Sequence, residues 1–385
     1  MPSKRLAKMP LALTIKKIEG KPGQVYYPLQ LNEVPKPSPG AKQLLVRLKA
    51  ASLNHRDLFI RQHLYPGISF EHPLLADGYG IVEAAGPGCS SDLVNKAVLL
   101  TPMRGWEADP AGPEVLSAYT ILGSSVLDDA GTAQDYVVVP EDEVVRAPVH
   151  LTPAEAASLP LVGLTAWRAF ATKSAAARPG TNILITGIGG GVALQALQFA
   201  VATGCNVFVT SSDDAKIARA VADLGARAGV SYRAPDWDRQ LAKLLPADRP
   251  YLDAVIDGAG GDVVARTVRL LKPGGVVACY GMTAGPKMDW LMQAVLKNVE
   301  LRGCTMGSKA EFRAMVDFVG AHGIRPVVSR VVQGLRDLAA IDGLFEDMKA
   351  GRQFGKLAVL IGDDEGGEGT EDGDAASSSS SSPKL

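Results

Sequence analysis

A chain of 385 residues has room for two or three domains, and 46% hydrophobic against 21% charged residues is the balance of a globular protein with a sizeable core. Lys and Arg number 40 against 41 Asp and Glu, a net charge of −1, which excludes a strongly basic nucleic-acid binder as the first reading. Cys89, Cys205, Cys279 and Cys304 form no CxxC pair, so their spacing writes neither a disulfide framework nor a cysteine-type zinc site.

In chain order, MPSKRLAKMPLALTIKK is basic but lacks a long apolar core, so it does not read as a secretory signal. Residues 1–150 then hold short β-rich runs, LLVRLKAASL, GYGIVEAAG, KAVLL and QDYVVVP, punctuated by VPKPSPG and AGPGCSSD. They predict a β domain with one long loop, Thr101 to Thr132. The texture changes at Pro153. TPAEAASLP reads as a helix with Thr152 as N-cap, Pro153 in its first position and Glu155 in its third, and GLTAWRAFATKSA as a second helix. Strands and helices alternate from there: NILITG, GVALQALQFAVATG, CNVFVTSS, DAKIARAVADLGA, AVIDGAG, a helix at DVVARTVRLLKPGG, then GGVVACYG and VELRGCT. Such alternation predicts an α/β fold, a doubly wound parallel sheet with crossover helices.

The uncharged stretch Thr181 to Ser212 is longer than a membrane span. Gly187, Gly189, Gly190, Gly191 and Gly204 interrupt it and its apolar period changes partway, so it reads as a buried strand–turn–helix–strand with no membrane partner. Further on, KAEFRAMVDFVGAHG and AAIDGLFEDMKAG predict helices and KLAVLI a final strand. After residue 362 the chain has no aromatic residue, is rich in Gly and Ser, and carries a net of −6, so the preceding body holds +5 of the total −1. Such a tail cannot bury enough surface to offset its ordering entropy and is expected to be disordered. The mildly basic body suits an anionic small ligand. The last residues, Pro-Lys-Leu, approach the peroxisomal Ser-Lys-Leu signal but depart at its first position, so a cytoplasmic location is the expectation and a peroxisomal one the alternative.

ILITGIGGGVALQALQFA is a strand, a glycine turn and an apolar helix. Glycines there allow a tight turn, close approach of backbone to a pyrophosphate, and close helix–strand packing, while the helix N-terminus offers free N–H groups to phosphate. Gly187, Gly189, Gly190 and Gly191 therefore read as dinucleotide-binding, with Val192 standing where the GxGxxG pattern has its last glycine. An Asp or Glu usually closes the next strand when the ribose carries a free 2′-hydroxyl. This strand closes instead in Thr210, Ser211 and Ser212, with Lys216 one turn into the helix. Hydroxyls and a cation suit a 2′-phosphate, which points to NADPH. Asp213 and Asp214 are the opposing signal: either could serve a 2′-hydroxyl or simply start the helix. Gly258 and Gly281, in the glycine turns after AVID and VVACY, are further cofactor candidates.

Up to about residue 362 the chain resembles the medium-chain dehydrogenases/reductases, on their zinc-free quinone oxidoreductase and enoyl reductase side. ASLNHRDLFIRQHLYPG, LLADGYGIVEAAG, GTAQDYVVVPED, LPLVGLTAWRAF, the glycine turn and LLKPGGVVACYG carry the likeness, and MRGWEADP resembles a subgroup labelled zinc-type alcohol dehydrogenase-like. The resemblance implies a GroES-like β domain from residues 1–150 and 307–362, a Rossmann domain from 151–306, a cleft between them, and a homodimer or homotetramer. It implies that Asn54 contacts the nicotinamide ribose or substrate, Asp57 braces that loop, His55 faces the pyrophosphate, Thr165 meets the carboxamide, and Tyr232 stacks beside the 2′-phosphate and Lys216.

Asn54 stands where zinc members carry a cysteine ligand, Ala76 where they carry a histidine, and Asp77 where they carry a neighbouring Glu. One carboxylate cannot hold a tetrahedral zinc, and the Thr101–Thr132 loop contains no cysteine, so no metal is expected at either zinc position. Hydride addition to a quinone, or to the β-carbon of an enone, needs hydrogen bonds and a proton source at oxygen rather than a Lewis acid. Tyr65 is the candidate proton donor or oxygen clamp; its alternative is half-buried packing. Arg61 reads as a substrate-steering cation or as an ion pair. The expected activity is thus an NADPH-dependent reductase of quinones or enones, with a non-catalytic NADPH binder of the same fold, or a zinc-type alcohol dehydrogenase, as alternatives.

Overall fold

The alternating apolar strands after residue 150 assemble, in this computed structural model describing residues 9–362, into a six-stranded sheet. Its order is Ala228–Ser231, Asn206–Ser211, Asn182–Ile185, Leu252–Asp257, Leu271–Cys279, Glu300–Gly303, all parallel. The first of these six strands in chain order, Asn182–Ile185, lies at the centre, and the winding reverses between it and Leu252–Asp257. A crevice opens there, beyond the strands' C-terminal ends.

Burial explains the strands' continuous apolar runs. Ile183, Ile185, Val207, Val209, Ala254 and Ile256 pack into a core with the helix Gly191–Ala202. The alternate residues Leu184, Phe208 and Val255 pack into another, with Trp237, Leu241 and Val263. Both faces are covered, as parallel sheets require. The predicted membrane-length stretch is indeed strand, turn, helix and strand, and among the described residues no helix is long and apolar enough to cross a membrane.

The β domain is built on Gln43–Ser52. This strand pairs Asp77–Ala85 along its length, Tyr136–Pro140 through its first half, and the last described strand, Lys356–Leu360, through Ala50, Ala51 and Ser52. Ser52 lies opposite both Asp77 and Ala358. That register brings Lys356 to the loop that begins at Leu53.

Three sequence expectations shift. The helix expected over residues 262–275 ends at Thr267, and Leu271–Cys279 is strand, because Lys-Pro-Gly-Gly cannot continue a helix. The helix Lys309–His322 packs Phe312, Met315, Val316 and Val319 with Leu197 and Phe199, so its core is the parallel-sheet unit's rather than the β domain's. The long loop contains a two-stranded ribbon, Met103–Arg104 with Thr120–Ile121. The acidic tail, residues 363–385, with its disorder and targeting expectations, lies outside the described residues.

Candidate active site

One cleft of about 600 Å³ runs between the two units at the sheet's crevice. The glycine turn forms its floor. Gly187 and Gly189 have φ of +65° and +119°, which side-chain-bearing residues rarely adopt. At Gly191 a Cβ would meet Val162 Cγ1 and Lys356 Cδ at 2.9 Å, so this glycine supplies the close packing that Val192 does not. Gly190 caps the helix Gly191–Ala202 without a side chain, leaving the first N–H groups facing the cleft for an anion. The turn therefore fits a pyrophosphate. Val192, Gly258 and Gly281 also line the cleft.

The adjoining wall is polar and carries one cation. Ser211, Ser212, Lys216 and Tyr232 come together there. Ser211 Oγ accepts from Asp213 N (3.2 Å), and Lys216 Nζ donates to Gly351 O across the cleft (2.7 Å). Asp213 is committed elsewhere: its Oδ1 accepts from Ala215 N at 2.9 Å and caps the next helix. Neither Asp213 nor Asp214 lines the cleft.

Deeper lies a buried polar cluster with a lysine at its centre. Lys356 Nζ donates to Leu53 O (2.7 Å), Asn54 Oδ1 (2.6 Å) and Asp77 Oδ2 (2.8 Å). Asn54 Nδ2 and Ser52 Oγ donate to the same Asp77 oxygen (2.9 and 3.0 Å), and Leu161 N donates to Oδ1 (2.7 Å). Asn54 thus lines the cleft with both ends of its amide engaged. Asp57, fully buried below, accepts from Asn54 N at 2.7 Å and so braces the loop from inside without lining the cleft. Burial pushes its carboxyl up to about 6.

At the far end Tyr65 lines the cleft, its ring 4.8 Å from the Arg56 guanidinium. Thr165 lines the wall, and its hydroxyl donates to Leu161 O (2.8 Å). His55 reaches the cleft on the exposed side of its short helix, edge-on to Phe59. Arg61 takes the ion-pair place of the two expected, with its guanidinium buried and outside the cleft lining. It is buried, donates to Tyr27 O and Asp342, and lies against Tyr26 and Phe345. Trp106 is buried against Arg168, away from the cleft.

Sequence reasoning passed over Lys356 and Arg56. The signal for Lys356 was a cation opening the apolar run KLAVLI; for Arg56 it was a second charge beside Asp57 in NHRD.

Two family models match the chain: the alcohol dehydrogenase GroES-like domain over residues 40–149, and zinc-binding dehydrogenase over residues 191–321. A zinc-type alcohol dehydrogenase-like protein of Leptosphaeria maculans is 58% identical over 92% of this chain and 100% of its own length. Another so named, from Schizosaccharomyces pombe, is 33% identical over 81% of this chain and 87% of its own. Among solved structures, an NAD-dependent alcohol dehydrogenase overlays with a TM-score of 0.78 at 30% identity, covering 91% of this chain and 100% of that one.

Zinc, which these descriptions imply, finds no fitting donor set here. The cluster around Asp77 offers one carboxylate and one amide, with no histidine or thiolate, and the Lys356 ammonium already sits among them. In the long loop, Glu114 accepts from the Glu107, Ala108 and Asp109 N–H groups (2.7–2.9 Å), so a carboxylate organises that turn. Among the described residues one carboxylate trio, Glu107, Asp142 and Glu143, is close enough to share an ion, and Lys309 Nζ stands within it at 2.6–2.9 Å. Fold, cleft and relatives together establish that the chain belongs to the medium-chain dehydrogenase/reductase superfamily, in its alcohol dehydrogenase-like branch of oxidoreductases.

Proposed function

We propose that this protein is a zinc-independent, NADPH-dependent reductase of quinones or of the C=C bond of α,β-unsaturated carbonyls. The observation that carries zinc independence is the Lys356 ammonium held between Asn54 Oδ1 and Asp77 Oδ2 at 2.6 and 2.8 Å. A dication would have to displace that charge and then accept a donor set suited to ammonium. Zinc-dependent alcohol oxidation, the chemistry suggested by the relatives' names, is therefore the weaker reading of this cleft.

NADPH is favoured over NADH by the company of Ser211, Ser212, Lys216 and Tyr232, and by the use of Asp213 as a helix cap. Bound NADPH would supply the hydride. The protein's part is to hold the acceptor and its protons. The glycine turn would take the pyrophosphate, with His55 at the rim. Thr165 and Asn54 would flank the nicotinamide end, and Tyr65 would offer a phenolic O–H. Gly258 and Gly281 would leave room for the ribose side of the cofactor. A cytoplasmic homodimer or homotetramer completes the reading.

The test is NADPH and NADH oxidation by purified protein with a quinone, a 2-alkenal, an enone and a saturated aldehyde. Turnover of the conjugated acceptors with NADPH preferred is expected. Turnover of the saturated aldehyde alone, or a preference for NADH, would overturn the reading. Tight NADPH binding with no turnover would favour the non-catalytic binder.

A further inference from the structure

The substrate end of the cleft contains a guanidinium whose donors are only partly used. Arg56 lies on the short helix His55–Arg61, is 8% exposed and lines the cleft. Its terminal nitrogens donate to two backbone carbonyls, Leu122 O at 2.6 Å and Gly123 O at 3.1 Å. Its one carboxylate contact is Asp57, at 3.3 Å. The Nε–H is buried and has no hydrogen-bond partner. A buried N–H without a partner is destabilising, more so on a charged group, so a ligand oxygen that reached it would relieve a standing penalty. The guanidinium lies over the Tyr65 ring, which puts a fixed cation and a phenol at one end of the same cleft.

We infer that Arg56 is a substrate-positioning residue, its guanidinium binding the carbonyl oxygen of a conjugated acceptor and, with the Tyr65 hydroxyl, the negative charge that gathers on that oxygen. The inference rests on the reading of the cleft as a reductase of conjugated carbonyls, and it names the part of the substrate that is recognised. Hydride from bound NADPH adds to the β-carbon. The electron pair of the C=C bond shifts to leave an enolate, whose charge lies largely on oxygen. A proton, from Tyr65 or from water, then goes to the α-carbon, giving the saturated carbonyl and NADP⁺. A neutral hydrogen-bond donor could orient the ground-state carbonyl. A fixed guanidinium gains most when the oxygen becomes charged, which is where stabilisation accelerates reaction. It would thereby supply, from the side chain at position 56, positive charge at the oxygen where charge develops. Lys356 cannot do so, because its three N–H groups are taken by Leu53, Asn54 and Asp77.

The experiment separates binding at this oxygen from turnover. Crotonate, a conjugated carboxylate that mimics the oxygen's charge and is a poor hydride acceptor, is titrated into the protein–NADPH complex and followed by NADPH fluorescence. Wild type is expected to bind it. Arg56→Met should weaken it by about tenfold or more, as for loss of a charge-assisted hydrogen bond, and Arg56→Lys, which keeps charge but loses the fork, by roughly threefold to tenfold. NADPH affinity should stay within about twofold in both variants, a separation that general misfolding would not give. With a 2-alkenal, Arg56→Met should lower kcat more than it raises KM. Equal crotonate affinity in wild type and Arg56→Lys would overturn the inference even if Arg56→Met failed to fold. So would absence of crotonate binding to wild type, or a parallel loss of NADPH affinity. Failure of the wild type to turn over any conjugated acceptor, with crotonate binding still dependent on Arg56, would instead sink the reductase reading and leave an anion site.

Discussion

Lys356 and Asp77 are both buried and 2.8 Å apart, so each is tolerable only because the other is present. Removing one partner of a buried pair costs about 3–5 kcal/mol, whereas removing both charges with similar volume is nearly neutral. Lys356→Met should therefore lose about that much stability in urea denaturation, and adding Asp77→Asn should recover most of it. A full loss persisting in the double variant would mean that the pair is not the cause. Lys216 is the opposite kind of residue, partly exposed and held by a single carbonyl. Lys216→Ala should raise KM for NADPH by about tenfold or more and leave KM for NADH nearly unchanged, as expected for loss of one charge-assisted contact to a 2′-phosphate. Equal effects on both cofactors would remove the argument for NADPH. Ser211 and Lys216 could be placed from the sequence because they close and follow a strand of an alternating pattern, and Tyr232 through the family resemblance; the structure brings all three to one wall of the cleft. Lys356 could not be so placed: its partner Asp77 is 279 positions away, and no local pattern encodes a pairing at that distance.

The helix His55–Arg61 is too short to stand by propensity, and its first turn is held by Asp57 taking the Asn54 N–H. Burial pushes that carboxyl up to about 6 from its ordinary 3.8. The folded state thus holds the proton more tightly than the unfolded state between those values. By linkage, the contribution of Asp57 to stability is greatest at low pH and is lost as pH rises through about 4 to 6, by something on the order of 3 kcal/mol in all. Asp57→Asn should flatten the pH dependence of unfolding over that window; an unchanged slope would assign it to other groups. The elements themselves were mostly legible. Continuous apolar runs meant strands buried on both faces, and Thr152, Pro153 and Glu155 did mark a helix start, with Thr152 Oγ1 accepting from Glu155 N. The half-exposed strand Val328–Gln333 escaped notice because its burial follows no clean alternation. The helix Lys309–His322 was read correctly as an element, but which core its apolar stripe would meet is a tertiary fact.

At the scale of the molecule, the parallel sheet ends, among the described residues, in an unpaired edge at Glu300–Gly303, and Met292, Leu296 and Leu301 are 69%, 76% and 41% exposed. An exposed edge strand beside large apolar side chains is a template for pairing. A second copy joined there should give a mass by light scattering of about twice 40.4 kDa, and Leu296→Glu should shift it toward the single-chain value. A wild-type monomer at micromolar concentration would contradict that arrangement. In the cleft an ammonium, Lys356, is held between Asn54 and Asp77, in a protein whose relatives' names imply zinc. The most direct test measures metal content and NADPH-dependent reduction of a 2-alkenal in the same chelator-dialysed sample. Well under one zinc per chain, with turnover retained, is the expected result. About one zinc per chain surviving dialysis, or activity that vanishes with the metal and returns on adding zinc, would contradict it.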